Sequence, residues 1–173
     1  MAPQILVAYA SKYGSTIEIA KKIGEILGEA GLKVTLLPAG QVDDVTPFDA
    51  VVLGSAVYAG SWRKEAVTFL EDYKALLTKI PVWLFSSGPV GEGDPATLVQ
   101  GWHFPSAQLP IADRIHVRDI ALFHGVIDME KLNYVERQIV KEFQPAVGDF
   151  RDWDAITDWA MSIVVSLRPE VAE

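Results

Sequence analysis

Cysteine is absent from this chain. Disulfides, thiolate metal ligands and thiol redox chemistry are excluded with it, so redox work would need a bound cofactor. The three histidines, His103, His116 and His124, show no metal-ligand spacing, and no metal is expected. Basic residues are outnumbered, 15 Lys and Arg against 23 Asp and Glu, giving a formal net charge of −8. That balance argues against nucleic acid as a partner and favours encounter with a basic protein surface. No apolar stretch is long enough to span a bilayer. The start, Met1-Ala2-Pro3-Gln4, lacks the charged and apolar regions of an export signal, so a cytoplasmic address is expected. No Gly-Lys-Ser/Thr follows the first apolar run, which excludes a Walker A loop. A dinucleotide fingerprint is also missing: Gly91-Glu92-Gly93-Asp94-Pro95 has the first two glycines only, and Pro95 breaks the rest. Leu53-Gly54-Ser55 lacks the aspartate that a phosphoacceptor receiver carries at the end of its central strand.

What remains is a chain of 173 residues, half of them hydrophobic, which suffices for a real core. Strand-like runs alternate with helical segments. Strands are expected at 4–8, 33–37, 49–54, 81–86 and 115–123, and helices at 16–30, 63–77, 129–143 and 154–167. The run Ala50-Val51-Val52-Leu53 is continuously apolar, as in a central parallel strand. Repeated β-α-β units predict an α/β fold: a doubly wound, five-stranded parallel sheet of order 2-1-3-4-5, with helices on both faces. Ligands of such sheets collect beyond the carboxyl ends of the strands, near the reversal between strands one and three. There is no repeat, low-complexity tract or linker, so one domain over 1–173 is expected. Leu132, Val135, Ile139 and Phe143 form an apolar stripe that reads as core. Asp43-Asp44 reads as a solvated turn, and the Asp149, Asp152 and Asp154 cluster as a helix start.

The most informative segment follows the first strand: Ser11-Lys12-Tyr13-Gly14-Ser15-Thr16. A strand runs into a loop of hydroxyls and one glycine, and then a helix begins. A helix start offers unpaired backbone N–H groups and the positive end of a dipole. Ser11, Ser15 and Thr16 add hydroxyl donors, and Gly14 lets the backbone approach an anion. These are the parts of a pocket for a phosphate monoester. The plainer alternative is a strand-to-helix turn in which Ser15 and Glu18 form a capping box. Lys12 reads equally as a phosphate partner or a solvated lysine. The segment resembles the FMN phosphate loop of flavodoxins.

That resemblance implies three loops around FMN, after strands one, three and four. The second would be Gly54-Ser55-Ala56-Val57-Tyr58-Ala59-Gly60-Ser61-Trp62, with Tyr58 or Trp62 stacking on the isoalloxazine. The third would be Ser86-Ser87-Gly88-Pro89-Val90-Gly91-Glu92-Gly93-Asp94, aiming backbone N–H groups near Ser87, Gly88 and Gly91 at the pyrimidine edge. Many flavodoxins carry an aromatic in that loop to cover the outer flavin face. Here none is present, and the nearest candidates are Trp102 and Phe104, so the outer face is either open or covered by that later segment. Glu92 and Asp94 should oppose an anionic reduced flavin, each by about 1 kcal/mol at ~10 Å separation in a medium of effective dielectric near 20. His103 and His124 read as packing or hydrogen-bonding residues more readily than as proton donors.

Nearly the whole chain resembles one branch of the flavodoxin superfamily, which includes the menaquinone-dependent protoporphyrinogen oxidases. The motifs that carry this are Ser11–Thr16, Gly54-Ser55-Ala56-Val57-Tyr58-Ala59-Gly60, Ala121-Leu122-Phe123-His124-Gly125 and Asp152-Trp153. The resemblance implies an FMN-binding oxidoreductase with a quinone or porphyrinogen substrate, and it leaves a peripheral membrane position open. The alternative is an electron carrier between redox partner proteins, with no small substrate. The charge of Asp128–Gly148 is balanced here, whereas that branch is more basic in this segment.

Overall fold

The computed structural model describes residues 1–168. The last five residues of the expected 1–173 domain lie outside the described residues. The elements run β1 (Gln4–Ala10), α1 (Ser15–Glu29), β2 (Lys33–Pro38), β3 (Ala50–Tyr58), β4 (Ser61–Trp62), α2 (Lys64–Leu77), β5 (Val82–Ser87), α3 (Pro95–Leu98), α4 (Leu109–Ile115), β6 (Asp119–Phe123), β7 (Val126–Ile127), α5 (Tyr134–Phe143), β8 (Gly148–Asp149) and α6 (Trp153–Leu167).

Five strands pair in parallel in the order β2-β1-β3-β5-β6. Counting only the parallel strands, this is the expected 2-1-3-4-5. The short β4 folds back antiparallel on the end of β3, pairing Val57 with Trp62 and Tyr58 with Ser61. Alternate residues of each central strand feed two cores. Leu6, Ala8, Val51, Leu53, Val82 and Leu84 pack with α2 and α4. Ile5, Val7, Ala50, Val52, Trp83 and Phe85 pack with α1 and α6. Helices on both faces explain why β1, β3 and β5 carry continuous apolar runs (5–8, 50–53 and 82–85) rather than alternating.

The structure corrects several sequence expectations. The strand expected at 115–123 is shorter, because Ile115 closes α4, whose Ile111, Ala112 and Ile115 are buried. That spacing of one and four is helical, and Pro110 opens the helix. The helix expected at 129–143 is a 3₁₀ turn (Met129–Lys131) followed by α5. The break falls at Asn133, whose side chain accepts from the Glu136 amide while the Glu136 carboxylate accepts from the Asn133 amide. No α5 residue is buried, and Val135, Ile139 and Phe143 are exposed, so the stripe is surface rather than core. β3 runs four residues past its expected end, to Tyr58, because β4 gives its last residues a partner.

Candidate functional site

The carboxyl ends of β1, β3, β5 and β6 lie at one edge of the sheet, and the three expected loops leave from it. The first loop ends at Gly14, whose φ of 93° is left-handed and suits glycine. Gly14, not Ser15, is the N-cap of α1, and no side chain caps this helix. The capping-box alternative for Ser15 and Glu18 therefore does not hold. By contrast Asp94, Asn133 and Asp152 cap α3, α5 and α6. The first-turn amides of α1 are left open to a ligand. Ser11 Oγ accepts from the Gly14 amide at 3.1 Å, shaping the loop.

Thr16 is fully buried, and its Oγ1 lies 2.8 Å from Ser87 Oγ at the end of β5. The second loop is tied to β5 as well, through Trp62 Nε1, which donates to Ser86 Oγ at 2.8 Å. Trp62 is only 5% exposed and packs edge-to-face on Phe104, with centroids 5.0 Å apart. Both rings belong to the core on the α2 side. Tyr58 is 41% exposed and is the aromatic of this loop that a ligand can reach. Burial raises its phenol above the ordinary value. Ser55 Oγ accepts from the Arg63 amide and donates to the Ala56 carbonyl, so this hydroxyl braces the loop from inside.

Between the second and third loops opens a cleft of about 380 Å³ lined by Val57, Gly60, Gly88, Pro89, Val90, Val99 and Trp102. Its walls are mostly apolar, and Trp102 supplies an aromatic from beyond the third loop. A smaller cavity of about 50 Å³ lies beside the first loop, bordered by Tyr13, Ser15, Lys131 and Arg151. It is too small for a tricyclic ring. Lys12 hydrogen-bonds Glu136 of α5, and the Tyr13 hydroxyl donates to the same carboxylate. These contacts raise the Lys12 ammonium above its ordinary value and hold Glu136 down at about 2. Lys12 Nζ also lies 5.0 Å from the Tyr13 ring centre and 5.9 Å from that of Tyr58, which links the first two loops to α5.

One residue, Arg151, escaped the sequence reading, and His124 takes the hydrogen-bonding role expected of it, with distant partners. The Arg151 side chain is 8% exposed; it forks onto Asp149 and donates to Glu18 and to the Ser15 carbonyl at 3.2 Å. It staples the segment after β8 to the first turn of α1. Asp149, read with Asp152 and Asp154 as a helix start, lies in β8 and is its ion-pair partner; Asp152 caps α6 as expected. His124, 7% exposed, faces two carbonyls of the third loop, those of Pro89 and Gly93. Apart from Asp149, two positions from Arg151, these partners lie 31 to 136 positions away and leave no local sequence signal. Among the described residues no group of three or more His, Asp or Glu side chains could hold a metal.

A doubly wound sheet with an uncapped hydroxyl loop after its first strand, and an apolar cleft between the next two loops, defines a flavodoxin-type domain. The profile of the Flavodoxin domain family matches residues 6–152, and the chain belongs to that family. A short-chain flavodoxin associated with a bacterial microcompartment superposes with TM-score 0.63 at 16% identity, covering 97% of this chain and 100% of that one. Oxidised flavodoxin 2 from Bacillus cereus gives 0.63 at 20% identity, over 95% and 99% of the two chains. Rubredoxin oxygen:oxidoreductase from Desulfovibrio gigas gives 0.63 at 16% identity; the match covers 99% of this chain but 38% of that protein. No curated protein matches the chain in sequence.

Proposed function

We propose that the chain binds FMN at the three-loop edge and works as a flavodoxin-type electron-transfer oxidoreductase. The observation that carries this is the first turn of α1, which follows a left-handed glycine and has no side-chain cap, in a loop of three hydroxyl residues. Its open amides and the dipole favour a phosphate dianion. Ser11 and Ser15 stand beside them, while the buried Thr16 hydroxyl fixes the loop against β5. The apolar cleft beside Val57 and Gly88 suits a flat aromatic ring, with Trp102 as one wall and Tyr58 at the rim.

Bound FMN would supply one- and two-electron chemistry that no side chain of this chain provides. The chain's own residues bind, orient and shield it. Gly88 and Gly91 would let the third-loop backbone approach the ring edge, and the exposed Glu92 and Asp94 would add negative charge on that side. The net charge of −8 favours a redox partner with a basic docking surface. A cytoplasmic place fits this role, and no helix among the described residues is long and apolar enough to cross a membrane.

A quinone- or porphyrinogen-directed activity is the second reading. It is favoured by the exposed apolar face of α5, which Glu136 ties beside the first loop. The decisive experiment is the absorption spectrum of the purified protein, followed by titration of the colourless fraction with FMN. A yellow protein, or fluorescence quenching on addition of FMN, supports the proposal. Protein that stays colourless and leaves FMN fluorescence unchanged overturns it. Steady-state oxidation of protoporphyrinogen with a quinone acceptor then separates the enzyme from the carrier.

A further inference from the structure

We propose that His124 is a positioning residue that clamps the third loop when its imidazole is protonated. The loop from Pro89 to Gly93 is fastened to the end of β6 at several points. The Gly88 amide donates to Phe123 O at 3.2 Å, and the Gly125 amide donates to Pro89 O at 2.8 Å. Gly125 has no room for a side chain, since a Cβ there would sit 2.8 Å from the Gly88 carbonyl oxygen. Between these bonds lies the His124 ring, with Nδ1 3.1 Å from Pro89 O and Nε2 2.7 Å from Gly93 O.

Both partners are carbonyl oxygens, which only accept. A neutral imidazole has one N–H, so either tautomer leaves a lone pair pointing at a carbonyl. The imidazolium has two N–H groups and satisfies both ends of the loop at once. Closure of the loop and uptake of a proton therefore favour each other. The hold therefore depends on the protonation state of the imidazole and is complete only when both ring nitrogens carry a proton.

The surroundings suit a cation. The open cleft beside the ring is bordered by Glu92, Arg151, Asp152 and Asp154, and Asp94 follows Gly93 on the loop. Arg151 is already paired with Asp149 and Glu18, Asp152 accepts the Ala155 amide, and Asp94 accepts from Ala96. Gly91 and Gly93 both have left-handed φ, 119° and 101°, so the loop has little of its own to hold this shape. The consequence for the cofactor rests on the FMN reading: a looser loop would grip the ring less well, so affinity should fall as pH rises.

The test has two arms. In the cofactor-free protein, hydrogen exchange of the Gly88 and Gly125 amides, the two that fasten the loop to the end of β6, is followed from about pH 5.5 to about pH 8.5. After correction for intrinsic exchange, loop protection in the wild type should fall about tenfold over that span, the size of one charge-assisted hydrogen bond. His124→Gln and His124→Asn should show no such slope, while amides of β3 stay flat in all three proteins. A flat loop profile in the wild type, or an unchanged slope in the folded variants, overturns the proposal; the wild-type arm stands even if the variants misfold. In the second arm FMN affinity is measured by fluorescence quenching at each pH, and the ratio of wild type to His124→Gln cancels the titration of FMN itself. That ratio should fall about tenfold as pH rises. A sloping loop profile in a protein that never binds FMN supports the clamp and overturns the FMN reading; tight FMN binding with a pH-independent ratio does the reverse.

Discussion

Thr16 and Ser87 share a hydrogen bond of 2.8 Å between their side-chain oxygens, joining the first turn of α1 to the last residue of β5 across 71 positions of sequence. Both residues are buried, so each hydroxyl depends on the other. Thr16→Val should cost about 1–3 kcal/mol in urea unfolding, because it leaves the Ser87 hydroxyl without its partner. The double variant Thr16→Val/Ser87→Ala should cost less than the sum of the two single variants. Strict additivity would show that the two hydroxyls do not interact.

A Cβ on Gly54 would lie 1.9 Å from Cζ of Phe85. The ring lies directly over the backbone of the central strand, in the register that pairs these two residues. Gly54→Ala should therefore destabilise by about 1–3 kcal/mol or more, since either the ring or the strand has to move. Adding Phe85→Leu should recover part of the loss. The midpoint of urea unfolding reads both effects.

Tyr58 and Trp62 stand four residues apart and should separate cleanly by assay. Trp62→Ala empties a buried site and should cost about 3–5 kcal/mol. Tyr58→Ala, at an exposed rim, should change stability by no more than about 0.5 kcal/mol. If FMN binds as proposed, Tyr58→Ala should weaken its affinity by about tenfold, measured by fluorescence quenching.

Glu136 is held at about 2, against an ordinary 4.5, by hydrogen bonds from Lys12, Tyr13 and the Asn133 amide. A folded value lowered in this way adds stability above the ordinary value and loses it as pH falls towards 2. Because the pair is solvent-exposed, salt should weaken the effect. Glu136→Gln should therefore flatten the stability profile on the acid side of pH 4.5 and speed amide exchange in α5 near neutral pH. An acid profile identical to that of the wild type would show that the contact adds nothing.

Much of the fold was readable because it rests on local pattern. Ala50-Val51-Val52-Leu53 announces a strand buried on both faces, and Ser11–Thr16 announces a strand-to-helix turn with hydroxyls. The division between α4 and β6 was not readable from the apolar run alone, because Ile115 suits a helix packed on the sheet as well as it suits a strand. The Asn133–Glu136 capping box went unread inside the helix expected at 129–143, and the apolar residues around it read as core. Whether Val135, Ile139 and Phe143 meet a neighbour depends on how the chain returns over the sheet, and among the described residues they stay exposed.

The sequence by itself determined the parallel α/β class, the strand order, the absence of thiol chemistry and the presence of a hydroxyl-rich loop at a helix start. Periodicity and composition carry the class, the loop and the absences, since they act between neighbours along the chain; the strand order follows from the repeated β-α-β connections. Only the tertiary structure decided that Trp62 is core while Tyr58 is rim, that Arg151 staples the start of α1, and that His124 faces two carbonyls of a distant loop. Those outcomes depend on which distant groups a buried side chain meets, and packing settles that after the local elements have formed.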